Sequence, residues 1–498
     1  MSGMRMLATC LLLWGLVSTV CRAKAVQDGP VSINLGTRVN TLPDAWLGVG
    51  EEMWHFIEAA AADDLQNPRL VGAIAALARH RPFFLRVGGI TADWVTYDVS
   101  DACEQQQHHG LSLASMGRLR DFSLDPASLS GSWPDAPENL TQCMYRQLLN
   151  FSVAANVELM FDLNELTGRD CHVDNTTHCE GDWNTTNLET FLRYLKDEDL
   201  ILPNFHGFEL GNELTRSDHI NMTVNIADNR RLRQLIETVW TDNATRPKTF
   251  GPSTDICDDT SAQFMDALTG TVSGFTFHSY PNLDDSTAPA TLLNPAWLRT
   301  GIMLNDSHAN SGECIVQWNA GPRQEGLQVY LTETNSAYTN SEVLTTFVNG
   351  HWGHTAFFAL VTIDGGGRTD YFIALLFQEL VGHGVLNTTT SSDGVLAYAY
   401  CARGSADVVL SLLNPGNYSA NFTLEGYAGD FDLYLFESST SDVLSNQTKI
   451  NGQLMSMDEM GNPTMPQPVS THSLVLPPST YAFAVTRQWQ SSECQASG

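Results

Sequence analysis

Between about residue 41 and residue 380 the chain repeats one pattern: a short apolar, β-rich run, then a longer amphipathic stretch. The runs are 46–50, 83–87, 157–163, 205–210, 249–251, 274–277, 327–331 and 356–361. Strands that recur at helix-length intervals pair in parallel through crossover helices, and eight such units close into a barrel. The expected fold is therefore α/β, a (β/α)8 TIM barrel. Beyond Gly382 the texture changes to short strand-like runs at 395–400, 407–412, 431–435 and 480–485, separated by Asn, Gly and Ser turns. That pattern predicts a C-terminal β-sandwich. With 498 residues available, more than one domain is expected. The expected division is 41–382 for the catalytic barrel and 383–498 for the sandwich, which a strand from 26–40 joins.

Residues 1–25 have the form of a cleaved secretory signal: Arg5 near the start, an apolar run from Leu7 to Val20, and Ala23-Lys24-Ala25 at the end. The run is too short to span a bilayer comfortably, so no integral membrane segment is expected in the mature chain. Eight cysteines remain after Cys10 and Cys21 leave with the signal, an even number that suits an oxidising compartment. Cys103 and Cys143 bracket an interval rich in Gln, Ser, Pro and Gly, which reads as a stapled surface loop. Spacing also suggests Cys171 with Cys179 and Cys257 with Cys314, among many pairings that eight cysteines permit. Eleven N-x-[ST] sequons, at Asn139, Asn150, Asn175, Asn184, Asn221, Asn243, Asn305, Asn387, Asn417, Asn421 and Asn446, predict a glycoprotein of the extracellular space or of a lysosome- or vacuole-like compartment. The formal net charge is −30, a field that repels nucleic acid and polyanions in the absence of a basic patch. No run of clustered Lys and Arg supplies one, and solubility is the simpler reason for the charge.

Two of the apolar runs end in a carboxylate. The fourth leads into Gly211-Asn212-Glu213, and the seventh into Thr332-Glu333-Thr334. Barrel enzymes place their chemistry at the carboxyl ends of strands, although a single strand-end glutamate is as readily a solvated surface acid. Glycosidic cleavage needs one carboxyl group protonated to assist the leaving oxygen and a second, ionised, to attack or stabilise the anomeric carbon. Asn212, beside the first glutamate, is placed to hydrogen-bond a sugar 2-hydroxyl. No Cys/His grouping has zinc spacing, so neither a metal nor an organic cofactor is expected.

In chain order, Leu85-Arg-Val-Gly-Gly89, Phe161-Asp-Leu-Asn-Glu-Leu166, Glu209-Leu-Gly-Asn-Glu213, Phe277-His-Ser-Tyr280, Thr332-Glu-Thr-Asn-Ser-Ala-Tyr338 and the stretch 370–382 resemble the heparanase-like family of β-glucuronidases. The resemblance runs from near residue 40 into the C-terminal domain. It implies a barrel with an attached β-sandwich, an Asn-Glu acid/base after the fourth strand and a nucleophilic Glu after the seventh. Position by position, it makes Glu213 the acid/base, Glu333 the nucleophile and Asn212 the neighbouring sugar contact. It also makes His278 and Tyr280 an active-site pair that braces the nucleophile, and places Tyr338 among the substrate contacts. Glu52 stands where the family tends to have a sugar-binding Asp. The pairing of Cys401 with Cys494 is likewise implied by the resemblance. Thr339-Asn340 replaces a Gly-Gly that binds the uronate carboxylate in heparan-cleaving members, and basic clusters for sulfated chains are missing. The interval after the second strand is short, so a single-chain enzyme is expected.

The leading expectation is a secreted retaining glycoside hydrolase that takes a carbohydrate substrate, a glucuronide-bearing glycan or glycoside, by double displacement. Two alternatives stand beside it: the same chemistry on a neutral β-glycoside, and an inactive secreted glycan-binding protein. The second is disfavoured because both carboxylates are present.

Overall fold

The computed structural model describes residues 30–100, 139–172, 178–215, 219–255, 259–279, 328–334, 367, 369–440, 445 and 447–495. Seven strands form one parallel sheet in the order Gln328–Thr334, Gly274–Ser279, Thr249–Asp255, Phe205–Leu210, Val157–Leu163, Phe83–Gly88, Gly48–Glu52. Each coincides with one of the first seven apolar runs; the eighth, 356–361, lies outside the described residues. The sheet curls until its ends approach, so that a Cβ on Gly50 of the first strand would stand 3.5 Å from the Thr332 carbonyl of the seventh. This is the (β/α)8 architecture.

Alternation along the strands decides what faces where. Phe83, Leu85 and Val87, and likewise Val157, Leu159, Phe161 and Leu163, are buried in the main apolar core. The intervening positions Arg86, Asp162 and Glu209 are polar and equally buried. They share the other face of the sheet, inside the barrel. At the amino-terminal ends of the strands, Phe84, His206, Phe250 and Tyr330 contact one another as a ring cluster. These rings close the bottom of the barrel and leave chemistry to the carboxyl end.

Helices cover the outer face, and their ends follow ordinary capping rules. The Asn67 side chain accepts from Arg69 N ahead of Pro68–Leu77, Thr141 from Met144 N ahead of Gln142–Ala154, and Asn221 from Val224 N ahead of Met222–Val239. Pro68 fits the first helical turn because its missing N–H would have no partner there. In Thr186–Asp197 the buried residues Leu188, Phe191, Leu192 and Leu195 recur with helical period and pack toward the sheet.

A second sheet, of eleven strands and largely antiparallel, joins Val31–Thr41 to strands between Val381 and Thr486. Val31–Thr41 pairs antiparallel with Val381–Thr390 and parallel with Ala420–Leu424. The sheet folds over a core that includes Ile33, Leu386, Leu410, Phe422, Leu474 and Ala482, which makes the β-sandwich. The Cys401–Cys494 disulfide fastens the C-terminal segment to it, and Cys171–Cys179 closes a hairpin beside the barrel. Cys143 is disulfide-bonded, while Cys103, Cys257 and Cys314 lie outside the described residues. The helix Thr369–Leu380 bridges the two sheets. Tyr371 donates to the Ala73 carbonyl of a barrel helix at 2.8 Å, and Phe377 packs against Trp46, Tyr400 and Phe483. No helix among the described residues is long and apolar enough to cross a membrane.

Candidate active site

Arg86 is the hub of a buried polar cluster toward the carboxyl ends of the strands. Its Nε donates to Glu209 Oε2 at 2.5 Å, Nη1 to Glu333 Oε1 at 2.5 Å, and Nη2 to Asp162 Oδ2, Asn212 Oδ1 and Ser253 Oγ at 3.2, 2.9 and 3.1 Å. Arginine suits this place because its rigid fork of donors serves several acceptors at once. Burial disfavours its charge, but Glu209, Glu333 and Asp162 outweigh burial and hold the guanidinium protonated. For Asp162 the balance falls the other way: burial pushes its carboxyl well up despite Arg86, and the nearby charges of Glu209, Asp93 and Glu333 push it further.

Glu213 and Glu333 face each other across His278. His278 Nδ1 lies 2.8 Å from Glu213 Oε1 and 3.5 Å from Glu333 Oε2. One oxygen of each carboxylate and one His278 nitrogen lie within 4.8 Å of one another. His278 Nε2 is 3.0 Å from Ser253 Oγ, which fixes the ring from behind. Burial opposes charging the imidazole, yet the Glu333 charge and the hydrogen bond with Glu213 prevail and raise its pKa. Such a Glu–His–Glu donor set also resembles a divalent-metal site. Here its members bond one another, and Arg86 takes up Glu333 Oε1.

The backbone delivers Glu213 in an uncommon conformation. Gly211 has φ +67°, and Glu213 (φ +52°) and Ser253 (φ +52°) are non-glycine residues in the left-handed region. Such residues persist only where their surroundings over-determine them. Glu213 N donates to the Ser253 carbonyl at 2.8 Å, and Ser253 N to Thr276 Oγ1 at 3.0 Å. The ends of three consecutive strands are thereby laced together.

A second layer of acids lies behind. Asp93 is fully buried, and burial pushes its carboxyl up to about 8. The Glu165 carboxyl is also pushed well up, by burial first and then by the Asp93 charge; its Oε2 accepts from Asn225 at 2.8 Å. Arg169 donates to the Glu165 carbonyl at 3.0 Å and pairs with Asp228.

Of the residues picked out by sequence, Asn212, Glu213, His278 and Glu333 come together in this cluster. His278 makes its closer contact with Glu213, not with Glu333, so it braces the residue read as acid/base more directly than the one read as nucleophile. Glu52 is near enough for the Glu333 charge to help raise its pKa, after burial, but its Oε1 accepts from Thr91 N at 2.9 Å and Thr91 Oγ1 at 2.5 Å. The carboxylate folds back over Gly89, where any Cβ would collide with it. Tyr280 and Tyr338 lie outside the described residues. Sequence reasoning did not assign Arg86, Asp93, Asp162, Glu209 or Ser253 to the site. For Arg86, Asp162 and Glu209 a signal existed, since a charge inside an otherwise apolar strand must find buried partners.

The family model for Glycosyl hydrolase family 79, N-terminal domain, matches residues 51–353. Heparanase-like protein 3 of Arabidopsis thaliana is 25% identical over 381 residues, which is 71% of this chain and 66% of the plant protein. The chain thus aligns with about two thirds of that relative's length. A hyaluronoglucuronidase of Hirudo nipponia is 21% identical over 495 residues, 91% of this chain and 94% of the leech protein. Among solved structures, a 4-O-alpha-L-rhamnosyl-beta-D-glucuronidase from Fusarium oxysporum superposes with a TM-score of 0.60 at 16% identity, covering 92% of this chain and 100% of that one.

Proposed function

The chain belongs to glycosyl hydrolase family 79, and we propose that it is a secreted retaining glycoside hydrolase that cleaves β-glucuronides. The observation that carries this reading is the close approach of Glu213 and Glu333, one oxygen of each lying within 4.8 Å of the other and of a His278 nitrogen. Retaining enzymes hold their carboxyl groups about 5–5.5 Å apart for direct attack, whereas inverting ones leave about 6.5–9.5 Å for a water.

In the proposed mechanism Glu333 attacks the anomeric carbon while Glu213 protonates the departing oxygen. Glu213 then takes a proton from water as that water displaces Glu333. Arg86 holds Glu333 Oε1, and Oε2, on the His278 side, is the attacking atom in this reading. With its Oδ1 accepting from Arg86, Asn212 directs its amide donors toward the sugar 2-hydroxyl. His278 steadies Glu213 in both protonation states, because an imidazole changes between donor and acceptor.

The names of the leech and fungal proteins supply the glucuronide reading for this chain. One observation favours a neutral β-glycoside instead. Arg86 is already occupied by Glu209, Glu333 and Asp162. Secretion is supported by the disulfides and by the exposure of Asn139, Asn150, Asn184, Asn221, Asn243, Asn387, Asn417 and Asn421, every sequon asparagine among the described residues. We also propose 41–382 and 383–498 as the functional division into catalytic and accessory domains.

The test is hydrolysis of aryl β-glucuronide, glucoside, galactoside and xyloside by the purified protein and by Glu213→Gln and Glu333→Gln. Glucuronide turnover lost in both variants supports the proposal. Turnover of a neutral sugar alone removes the uronate assignment, and binding without any turnover leaves a glycan-binding protein.

A further inference from the structure

The backbone of the turn that presents Asn212 and Glu213 is tied down in part by a side chain from outside its own strand and neighbours. Three successive N–H groups tie it down: Gly211 N donates to the Leu163 carbonyl at 3.0 Å, Glu213 N to the Ser253 carbonyl at 2.8 Å, and between them Asn212 N to Asp93 Oδ2 at 2.9 Å. The outer two reach backbone carbonyls that any sequence would supply. The middle one depends on Asp93.

Asp93 sits in the short turn Ile90–Trp94 that follows the second barrel strand, with no exposed surface. Its other oxygen, Oδ1, accepts from Glu165 N at 3.1 Å, and its own carbonyl accepts from Thr167 N and Thr167 Oγ1 at 3.0 and 3.1 Å. One carboxylate thus fastens the loops after the third and fourth strands to each other. Since Gly211 and Glu213 are both left-handed and Asn212 lies between them, the Asp93 contact fixes the peptide about which Glu213 is aimed. Glu165 Oε2 lies so close beneath Gly211 that a Cβ there would come within 2.6 Å of it, so the turn cannot settle downward if the contact is lost.

We propose that Asp93 is a positioning residue for proton transfer: it orients the Asn212–Glu213 turn so that Glu213 delivers its proton to the leaving oxygen. This rests on the glycosidase reading, and the test separates the two. A misaimed acid slows only substrates whose aglycone needs protonation. Wild type, Asp93→Asn and Thr167→Val are compared on an unsubstituted phenyl β-glycoside and on its 2,4-dinitrophenyl counterpart, which departs without help. The amide introduced by Asp93→Asn would present N–H to one of two backbone donors. The kcat/KM of that variant is expected to fall on the order of 10²-fold for the phenyl glycoside, in line with the worth of general-acid assistance, and by less than about threefold for the dinitrophenyl one. Thr167→Val, which removes one of the two bonds to the Asp93 backbone carbonyl and leaves both contacts of its carboxylate in place, keeps the wild-type ratio between substrates. Asp93→Glu, with an acceptor set too long by a methylene, makes the same comparison if Asp93→Asn does not fold. Equal losses on both substrates, or no loss, overturn the positioning role alone. A wild-type protein that hydrolyses no glycoside overturns the glycosidase reading and this role with it.

Discussion

Arg86 donates from Nη1 to Oε1 of Glu333 across 2.5 Å, joining the second barrel strand to the seventh inside the barrel. The same guanidinium serves Glu209, Asp162, Asn212 and Ser253, so it both organises the site and neutralises it.

Removing that cation leaves carboxylates buried without their partner. Arg86→Gln is expected to cost about 3–5 kcal/mol in urea-induced unfolding, as breaking a buried ion pair does, and to lower turnover by at least about 10²-fold. An unfolding midpoint that does not move would mean that the acids accommodate one another without Arg86.

Stability is expected to rise on mild acidification. Burial raises the carboxyls of Glu52, Asp93, Asp162 and Glu165 above their unfolded values, Asp93 to about 8, and the balance of interactions also raises His278. A folded-state pKa above the unfolded one means that the native state binds more protons in the interval between the two. Stability is therefore fullest below the unfolded value and is lost as pH rises through the folded one. Thermal unfolding followed from pH 8 down to pH 5 should show a rising midpoint. A midpoint that falls over this range would contradict the burial of these acids.

The framework was legible because it is written locally, whereas the site is written across the chain. Phe83, Leu85 and Val87 announce a strand within five residues, and the runs at 157–163 and 205–210 do the same. Arg86 finds its partners 76 residues away at Asp162 and 247 residues away at Glu333, which no local pattern records. Asp93 belongs to a short turn without periodicity. Strand Val381–Thr390 escaped because glycines and threonines at 382, 384 and 388–390 carry little apolar alternation. Glu213 and Glu333 were found because each closes an apolar run with a carboxylate. The closer bond of His278 to Glu213 than to Glu333 needed coordinates.

The Cys401–Cys494 bond spans 93 residues of sandwich sequence. Replacing both cysteines by serine is expected to cost about 2–4 kcal/mol, seen as a lower unfolding midpoint, with glycoside turnover at ambient temperature retained. Loss of turnover in the folded variant would tie the sandwich to the chemistry of the barrel.

Direct attack by Glu333 is the central claim, and trapping the covalent intermediate tests it most directly. The protein is incubated with a 2-deoxy-2-fluoro-β-glucuronyl fluoride and with its glucosyl counterpart, then digested and mapped by mass spectrometry. One added glycosyl group on Glu333 is the result this account predicts. A label on another residue, or hydrolysis that yields the inverted anomer with no label, would contradict it.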